Sequence, residues 1–293
     1  MSQLLEPLKQ RIETALSEQL PKTSDIAQSM VNAMRYAVLG GGKRMRPIMV
    51  CAACDAFGGD MENALPVACA IEFIHSYSLI HDDLPAMDDD AIRHAQPSTH
   101  IAFGEATAIL AGDSLHSLAF ESITKAPNLD PVSRLKIVEL LSRAAGWPGM
   151  AGGQSLDIEA EGQTLTLQKL ESLHRAKTGA LIQVALESGM LCADPEPDPE
   201  RFALVGQFGA AVGLAFQVVD DILDVAGSTL SLGKPAGSDA EHAKNTFPKL
   251  LGLEAAHEHA NKLLTQALSL LDAAACRTPL LELIANKAVI RTF

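Results

Sequence analysis

Apolar residues recur every three to four positions along most of this chain, the period of helices that bury one face. The pattern predicts an amphipathic helix over residues 2–19, ending before Pro21. A second helix follows the cap candidates Thr23-Ser24-Asp25 and runs through Tyr36 and Leu39. Gly40-Gly41-Gly42 breaks the pattern, and Pro47 is suited to open the next helix, which reaches Phe57-Gly58-Gly59. Pro66 begins a helix that Pro85 ends or bends. Helical periodicity returns over residues 106–125, 133–145 and 167–190, with a loop expected at Gly146–Gly153 before Gln154. Asp194-Pro195-Glu196-Pro197-Asp198-Pro199 has linker composition. Residues 201–225 read as helix, 227–238 as loop, and helices resume from Phe247. Ala and Leu dominate and long β-branched runs are absent, so the expected class is all-α.

Two acidic clusters interrupt these apolar stretches. The first is Asp82-Asp83-Leu84-Pro85-Ala86-Met87-Asp88-Asp89-Asp90, and the second is Asp220-Asp221-Ile222-Leu223-Asp224. Gln217, Asp220, Asp221 and Asp224 fall at i, i+3, i+4 and i+7, one narrow acidic stripe on an otherwise apolar helix. Carboxylates crowded into such a place are costly unless cations pair with them. Hard divalent cations choose oxygen ligands, and Mg²⁺ commonly bridges a few carboxylates to substrate phosphates. The expectation is therefore a cavity with metal on opposite walls. One cluster lies on each side of the proline-acid linker, so a shared site makes residues 1–293 a single domain.

Composition narrows the partners. The 293 residues carry a formal net charge of -13, which repels nucleic acid, so an anionic substrate needs local rescue by metal or by placed Lys and Arg. Five scattered cysteines, including the Cys51-Ala-Ala-Cys54 pair, read as buried thiols and not as a disulfide scaffold. No signal peptide is evident at Met1–Glu6. No uninterrupted apolar run reaches the roughly 18–20 residues of a membrane span. The expected location is the cytoplasm, and the chain is not expected to be an integral membrane protein.

Rescue is available. Gly41-Gly42-Lys43-Arg44-Met45-Arg46 sets three cations beside a flexible turn that could hold an anion. Lys234 and Lys244 form a second basic loop after Asp224. His75 and Ser78 share a helix face with Asp82, while His81 lies beside that stripe and is read as structural. Arg93 follows the first cluster and could bind phosphate, and Lys177-Thr178 interrupts an apolar helix.

Taken in order, these pieces resemble the trans-isoprenyl diphosphate synthases, and closely the bacterial short-chain type. The resemblance rests on residues 41–47, 74–88, Phe103–Ala106, Ala111-Gly112-Asp113, Gly152-Gly153-Gln154 with Asp157, His174–Gly179, Phe216–Asp224, and Gly233-Lys234 to Lys244-Asn245-Thr246. It implies an isoprenoid-synthase-type helical bundle around a deep central cavity, usually a homodimer, with three Mg²⁺ ions or possible Mn²⁺ substitution. It implies that Asp82, Asp88, Asp220 and Asp224 hold metal, with Asp83 and Asp221 in support. Arg93, Lys177, Thr178, Gln217, Lys234 and Lys244 match the allylic-substrate group. Gly42, Lys43, Arg46 and His75 match the isopentenyl diphosphate group. One departure stands out: where the family usually has Arg-Arg-Gly, this chain has Arg93-His94-Ala95. His94 therefore replaces a second arginine, and a weaker hold on isopentenyl diphosphate is expected, worsening at alkaline pH.

The implied activity is Mg²⁺-dependent condensation of isopentenyl diphosphate with dimethylallyl and geranyl diphosphate to give farnesyl diphosphate. Tyr77 and Ser78, just before the first aspartates, are the expected chain-length determinants. Geranyl or geranylgeranyl diphosphate is the alternative product. A class I terpene cyclase or squalene-type synthase lacks the Gly-Gly-Lys-x-x-Arg element. A non-catalytic regulatory subunit has no need of two complete aspartate motifs.

Overall fold

The computed structural model describes residues 2–226 and 245–290. Lys234 and Lys244 lie outside the described residues. The first helices are α1 (Ser2–Gln19), α2 (Gln28–Leu39), α3 (Met45–Ala56) and α4 (Met61–Asp82). A two-residue hairpin, β1 (Ile92–Arg93) with β2 (Gln96–Pro97), is the strand pair among the described residues. Then come α5 (Thr99–Phe103), α6 (Glu105–Thr124), α7 (Pro131–Ala145), α8 (Met150–Glu159) and α9 (Leu167–His174). A single π-helical turn (Arg175–Gly179) joins α9 to α10 (Ala180–Ala193). The chain ends with α11 (Pro199–Ala226), α12 (Phe247–Leu251), α13 (Leu253–Ala273) and α14 (Pro279–Val289).

Helices α3, α4 and α10 are buried on nearly all sides, as central helices of a bundle are. The main core joins them to α1, α2, α6, α7 and the first half of α11. A second cluster packs the last half of α11 against α9, α12 and α13. Helix α11 thus belongs to both. Helices α10 and α11 lie against each other across the 194–199 segment, so that segment is a turn between neighbours and not a spacer. Two helices, Met61–Asp82 and Pro199–Val225, are long and apolar enough to cross a membrane. Most of each is buried inside the bundle.

Several local expectations change in the folded chain. Ser24 does not cap α2; its Oγ accepts from Ala27 N–H at 3.0 Å, and the helix starts one residue later without a side-chain cap. Asp60 caps α4 through Glu62 N–H at 3.0 Å, so the helix begins before Pro66. Pro66 then sits inside α4 and forfeits only the bond to the Glu62 carbonyl near the helix start. The expected 146–153 loop is half helix. A Cβ on Gly153 would fall 2.3 Å from the Lys177 backbone nitrogen, so glycine is there for close helix packing.

Candidate active site

Helix α4 delivers Asp82 as its last residue and Asp83 as its C-cap, and Asp88 N–H donates to the Asp82 carbonyl at 2.9 Å. Helix α11 carries Asp220, Asp221 and Asp224 in its final two turns. Both acidic groups therefore sit at helix C-termini, the negative end of the macrodipole. A carboxylate is favoured at the opposite end by about 0.3–1 kcal/mol, so this placement is unfavourable unless cations are supplied. A solvated N-terminal acidic turn is excluded for both. Asp221 and Asp224 are buried, and Asp220 and Asp82 are half-buried. Burial pushes the Asp82 carboxyl up to about 6; Lys177 opposes the rise and Asp88 and Asp83 add to it.

Cations line the same cleft, most held by a second carboxylate. Arg93 Nε donates to Asp83 Oδ1 at 2.9 Å, Nη2 touches the same oxygen, and Nη2 meets Asp90 Oδ2 at 3.2 Å. Asp83 is thus committed to orienting Arg93. Lys177 Nζ donates to Asp157 Oδ2 at 2.6 Å. Lys177 and the buried Thr178 occupy the π turn, a distortion that recurs at functional sites because it re-aims side chains. Arg46 Nη1 lies 3.2 Å from His75 Nε2. A guanidinium only donates, so His75 Nε2 accepts and the ring proton sits on Nδ1. Burial and then Arg46 hold His75 well below the usual histidine range, consistent with that neutral ring. Arg46 Nε is buried without a hydrogen-bond partner among the described residues.

These groups face one another. Lys177 acts electrostatically on Asp82, and Asp220 on Arg46, so charges from α3, α4, the π turn and α11 come near one another. Gln217 is half-buried one turn before Asp221. Asp221 Oδ2 accepts from Phe247 N–H at 2.9 Å and lies 3.8 Å from His174 Nε2. The His174 ring stacks on Phe247 and is held neutral, down to about 4, by burial.

Donor chemistry fits a hard cation, since the acidic groups offer only oxygen. Among the described residues no three His, Cys, Asp or Glu side chains close a protein-only cage. A Mg²⁺-like ion would complete its shell with water and ligand phosphate oxygens.

The polyprenyl synthetase family profile matches residues 27–282. The chain belongs to the polyprenyl synthetase family. It is 45% identical to the farnesyl diphosphate synthase of Haemophilus influenzae, over 92% of each chain. Among solved structures it resembles an FPP/GFPP synthase from Zymomonas mobilis (39% identity, 99% and 98% of the two chains, TM-score 0.86). It also resembles a geranyltransferase from Helicobacter pylori complexed with magnesium and isoprenyl diphosphate (35% identity, 98% and 95%, TM-score 0.86). Membership in the polyprenyl synthetase family makes the chain a prenyl-transferring enzyme of isoprenoid biosynthesis.

Within this family frame, some site features escaped the sequence reading. Arg44, grouped there with Lys43 and Arg46 as an anion-binding cation, turns inward instead. It is buried and bonds Glu13, Glu72 and the Val38 carbonyl. Gly42 (φ +122°) and the exposed Lys43 carry the turn that Arg44 anchors. Asp157 had no assigned role and proves to be the partner of Lys177; its place three residues after Gln154 in the glycine motif was the available signal. His94 and Ala95 form the hairpin turn with φ +52° and +61°, the signs that two-residue hairpins require and that Asn or Gly adopt most easily. His94 is exposed beside the Gly42 turn.

Proposed function

We propose that this enzyme condenses isopentenyl diphosphate with dimethylallyl and geranyl diphosphate to give farnesyl diphosphate, as a cytoplasmic homodimer using Mg²⁺. The observation that carries the reading is the pair of acidic helix ends facing Arg46, Arg93 and Lys177 across a cleft. Similarity to farnesyl diphosphate synthases over nine-tenths of the chain supports the product. Asp82, Asp88, Asp220 and Asp224 would hold the metal, three ions as in the resembling enzymes, with Mn²⁺ as a substitute. Incubating the protein with labelled isopentenyl diphosphate, geranyl diphosphate and Mg²⁺ should yield a fifteen-carbon product. No elongated product, or none that depends on Mg²⁺, overturns the proposal.

Bound metal supplies Lewis-acid neutralisation of the departing diphosphate. Arg93, fixed by Asp83 and Asp90, and Lys177, fixed by Asp157, are placed to grip that diphosphate. The allylic C–O bond breaks with its electron pair leaving on diphosphate. The double bond of isopentenyl diphosphate attacks the allylic carbon, and the adjacent carbon gives a proton to the departed diphosphate, which restores a double bond. Arg46, whose buried Nε has no hydrogen-bond partner among the described residues, and Lys43 are suited to the second diphosphate. The apolar walls of α4, α10 and α11 exclude water from the cation.

His94 alters one expectation. Although the residue is exposed, its ring loses hydration where it meets the Gly42 turn; that desolvation, and then Arg93 and Arg44, lower its pKa, so the ring is neutral near pH 7 and no charge remains to be lost on the alkaline side. Its pH sensitivity moves to the acid side, where protonation strengthens the hold on an anion. His94→Arg should lower the Michaelis constant for isopentenyl diphosphate about tenfold, or about 1.4 kcal/mol, near the lower end of what one charge-assisted hydrogen bond contributes. Equal constants for both proteins from mildly acid to alkaline pH would count against His94 as a phosphate contact.

Chain length is assigned to Tyr77, with Ser78 beside it. Tyr77 lies five residues before Asp82, about 7.5 Å down α4. Ser78 Oγ is turned to the His75 carbonyl at 2.8 Å, which leaves the bulk of the floor to Tyr77. Tyr77→Ala should shift product toward twenty carbons, read by chromatography; an unchanged length removes Tyr77 as the floor. Support for the homodimer comes from Ile101, Ile109 and Leu110, which are exposed on α5 and α6, Leu110 at the edge of a groove of about 790 Å³ between α2 and α6.

A further inference from the structure

A floor stops chain growth only if it cannot swing aside. A tyrosine turns about two side-chain bonds, so its own bulk does not fix it. In this fold two further rings meet Tyr77 and a third backs one of them. His81, one turn along α4, stands edge-on to it at 5.5 Å and 87°. His116, on α6, stands edge-on from the other helix at 5.0 Å and 90°. Phe120 backs His116 at 5.3 Å and 62°. Edge-to-face contacts of this kind favour one relative orientation of the rings beyond their burial.

The two histidines differ in what holds them. His81 Nε2 bonds the Ile109 carbonyl at 3.1 Å, and it sits in a notch at Gly112, where a Cβ would come within 2.3 Å. It is a fixed post. His116 reaches Tyr77 across the seam between α4 and α6 and rests on Phe120. It is the ring that closes the α6 side.

We propose that His116 is a specificity-positioning residue, holding the Tyr77 ring across the α4–α6 seam so that elongation stops at fifteen carbons. The inference rests on the farnesyl reading and on Tyr77 as the floor. Without His116, Tyr77 can rotate toward α6 and open depth for one more five-carbon unit. His116 acts through Tyr77 and does not itself touch the reacting atoms.

The test compares Tyr77→Ala, His116→Ala, His116→Phe and the Tyr77→Ala/His116→Ala double variant. Each is incubated with Mg²⁺, labelled isopentenyl diphosphate and geranyl diphosphate, and the products are separated by chain length. His116→Ala should raise the twenty- to fifteen-carbon ratio about tenfold, equivalent to about 1.4 kcal/mol of lost discrimination. His116→Phe, which restores an edge-on ring, should keep the fifteen-carbon stop. The double variant should match Tyr77→Ala alone. If the alanine variant does not fold, His116→Val, which keeps bulk but no ring, carries the same expectation of lengthening. Lengthening by Tyr77→Ala but not by either His116 variant overturns the proposal and leaves the floor intact. A double variant that elongates further than Tyr77→Ala also overturns it, since His116 would then act on its own. If neither Tyr77→Ala nor His116→Ala lengthens the product, the Tyr77 floor falls and the proposal with it. Absence of any prenyl transfer by the unmodified protein marks failure of the underlying activity instead.

Discussion

Asp82→Asn should lower kcat/KM for chain elongation by roughly three to five orders of magnitude, about 4–7 kcal/mol of transition-state stabilisation. The same substitution should leave the ligand-free fold at least as stable. Asp82 ends α4 at the negative pole of the helix and burial pushes its carboxyl up to about 6, whereas the unfolded chain has an ordinary value of about 3.9. Between those values the folded protein keeps a proton that the unfolded chain has released. Stability therefore falls as pH rises through that window, and the loss is complete above about 6. Its size near neutral pH is on the order of 2 kcal/mol. Asparagine keeps the shape and removes the charge. In thermal unfolding without metal, the variant should melt above the unmodified protein near pH 7, and the two should converge near pH 4. Mg²⁺ with inorganic pyrophosphate should raise the melting temperature of the unmodified protein more than that of the variant. Retained activity, or a variant that melts lower at neutral pH, would show that Asp82 is a structural carboxylate.

The acidic clusters were legible because they violate their surroundings: two helices with apolar peripheries have no reason to end, between them, in five carboxylates. Most helices were legible too, since the 3.6-residue period survives in almost every segment. What escaped depends on close approach between distant segments. Gly152-Gly153 reads as a loop by composition, and only the Lys177 backbone pressed against it shows why glycine there is helical. The π turn was foreshadowed by the polar Lys177-Thr178 pair, but its register depends on how α8 packs on it. The hairpin at 92–97 is too short to have a period. Asp83 looks equivalent to Asp82 in the sequence, yet a step of about 100° around the helix turns it to Arg93. His116 stands four residues before Phe120, a visible ring pair on one face of α6, but its partner on α4 appears only when the helices meet.

Arg44→Ala should cost about 3–5 kcal/mol of folding stability, the usual penalty for breaking a buried ion pair from one side. Arg44 is the N-cap of α3 in the left-handed region (φ +53°), and its side chain runs inward from the turn. Nε donates to Glu13 on α1 at 2.7 Å, Nη1 to Glu72 on α4 at 2.7 Å, and Nη2 to the Val38 carbonyl on α2 at 2.6 Å. One guanidinium thus ties three helices to the start of a fourth. Truncation strands the Glu72 carboxylate, only 4% exposed, without its cation and leaves the Val38 carbonyl short of a donor. Lysine would not repair this, because a single ammonium cannot serve three acceptors in a planar fork. Removing the stranded charge should help: Arg44→Ala with Glu72→Gln should recover about 1–3 kcal/mol relative to simple addition of the two losses. The pair is shielded from solvent, so the loss should persist at high salt. Function should divide along the same line. The Gly41-Gly42-Lys43 turn hangs from Arg44, so any folded variant should bind isopentenyl diphosphate more weakly while its Michaelis constant for the allylic diphosphate stays within about twofold, a change of about 0.4 kcal/mol. Urea unfolding and separate Michaelis constants for the two substrates check both halves. A stability loss below about 1 kcal/mol, the range of an exposed ion pair, would mean that Glu72 finds another partner. Equal weakening for both substrates would mean that Arg44 supports the bundle as a whole and not the turn beside it.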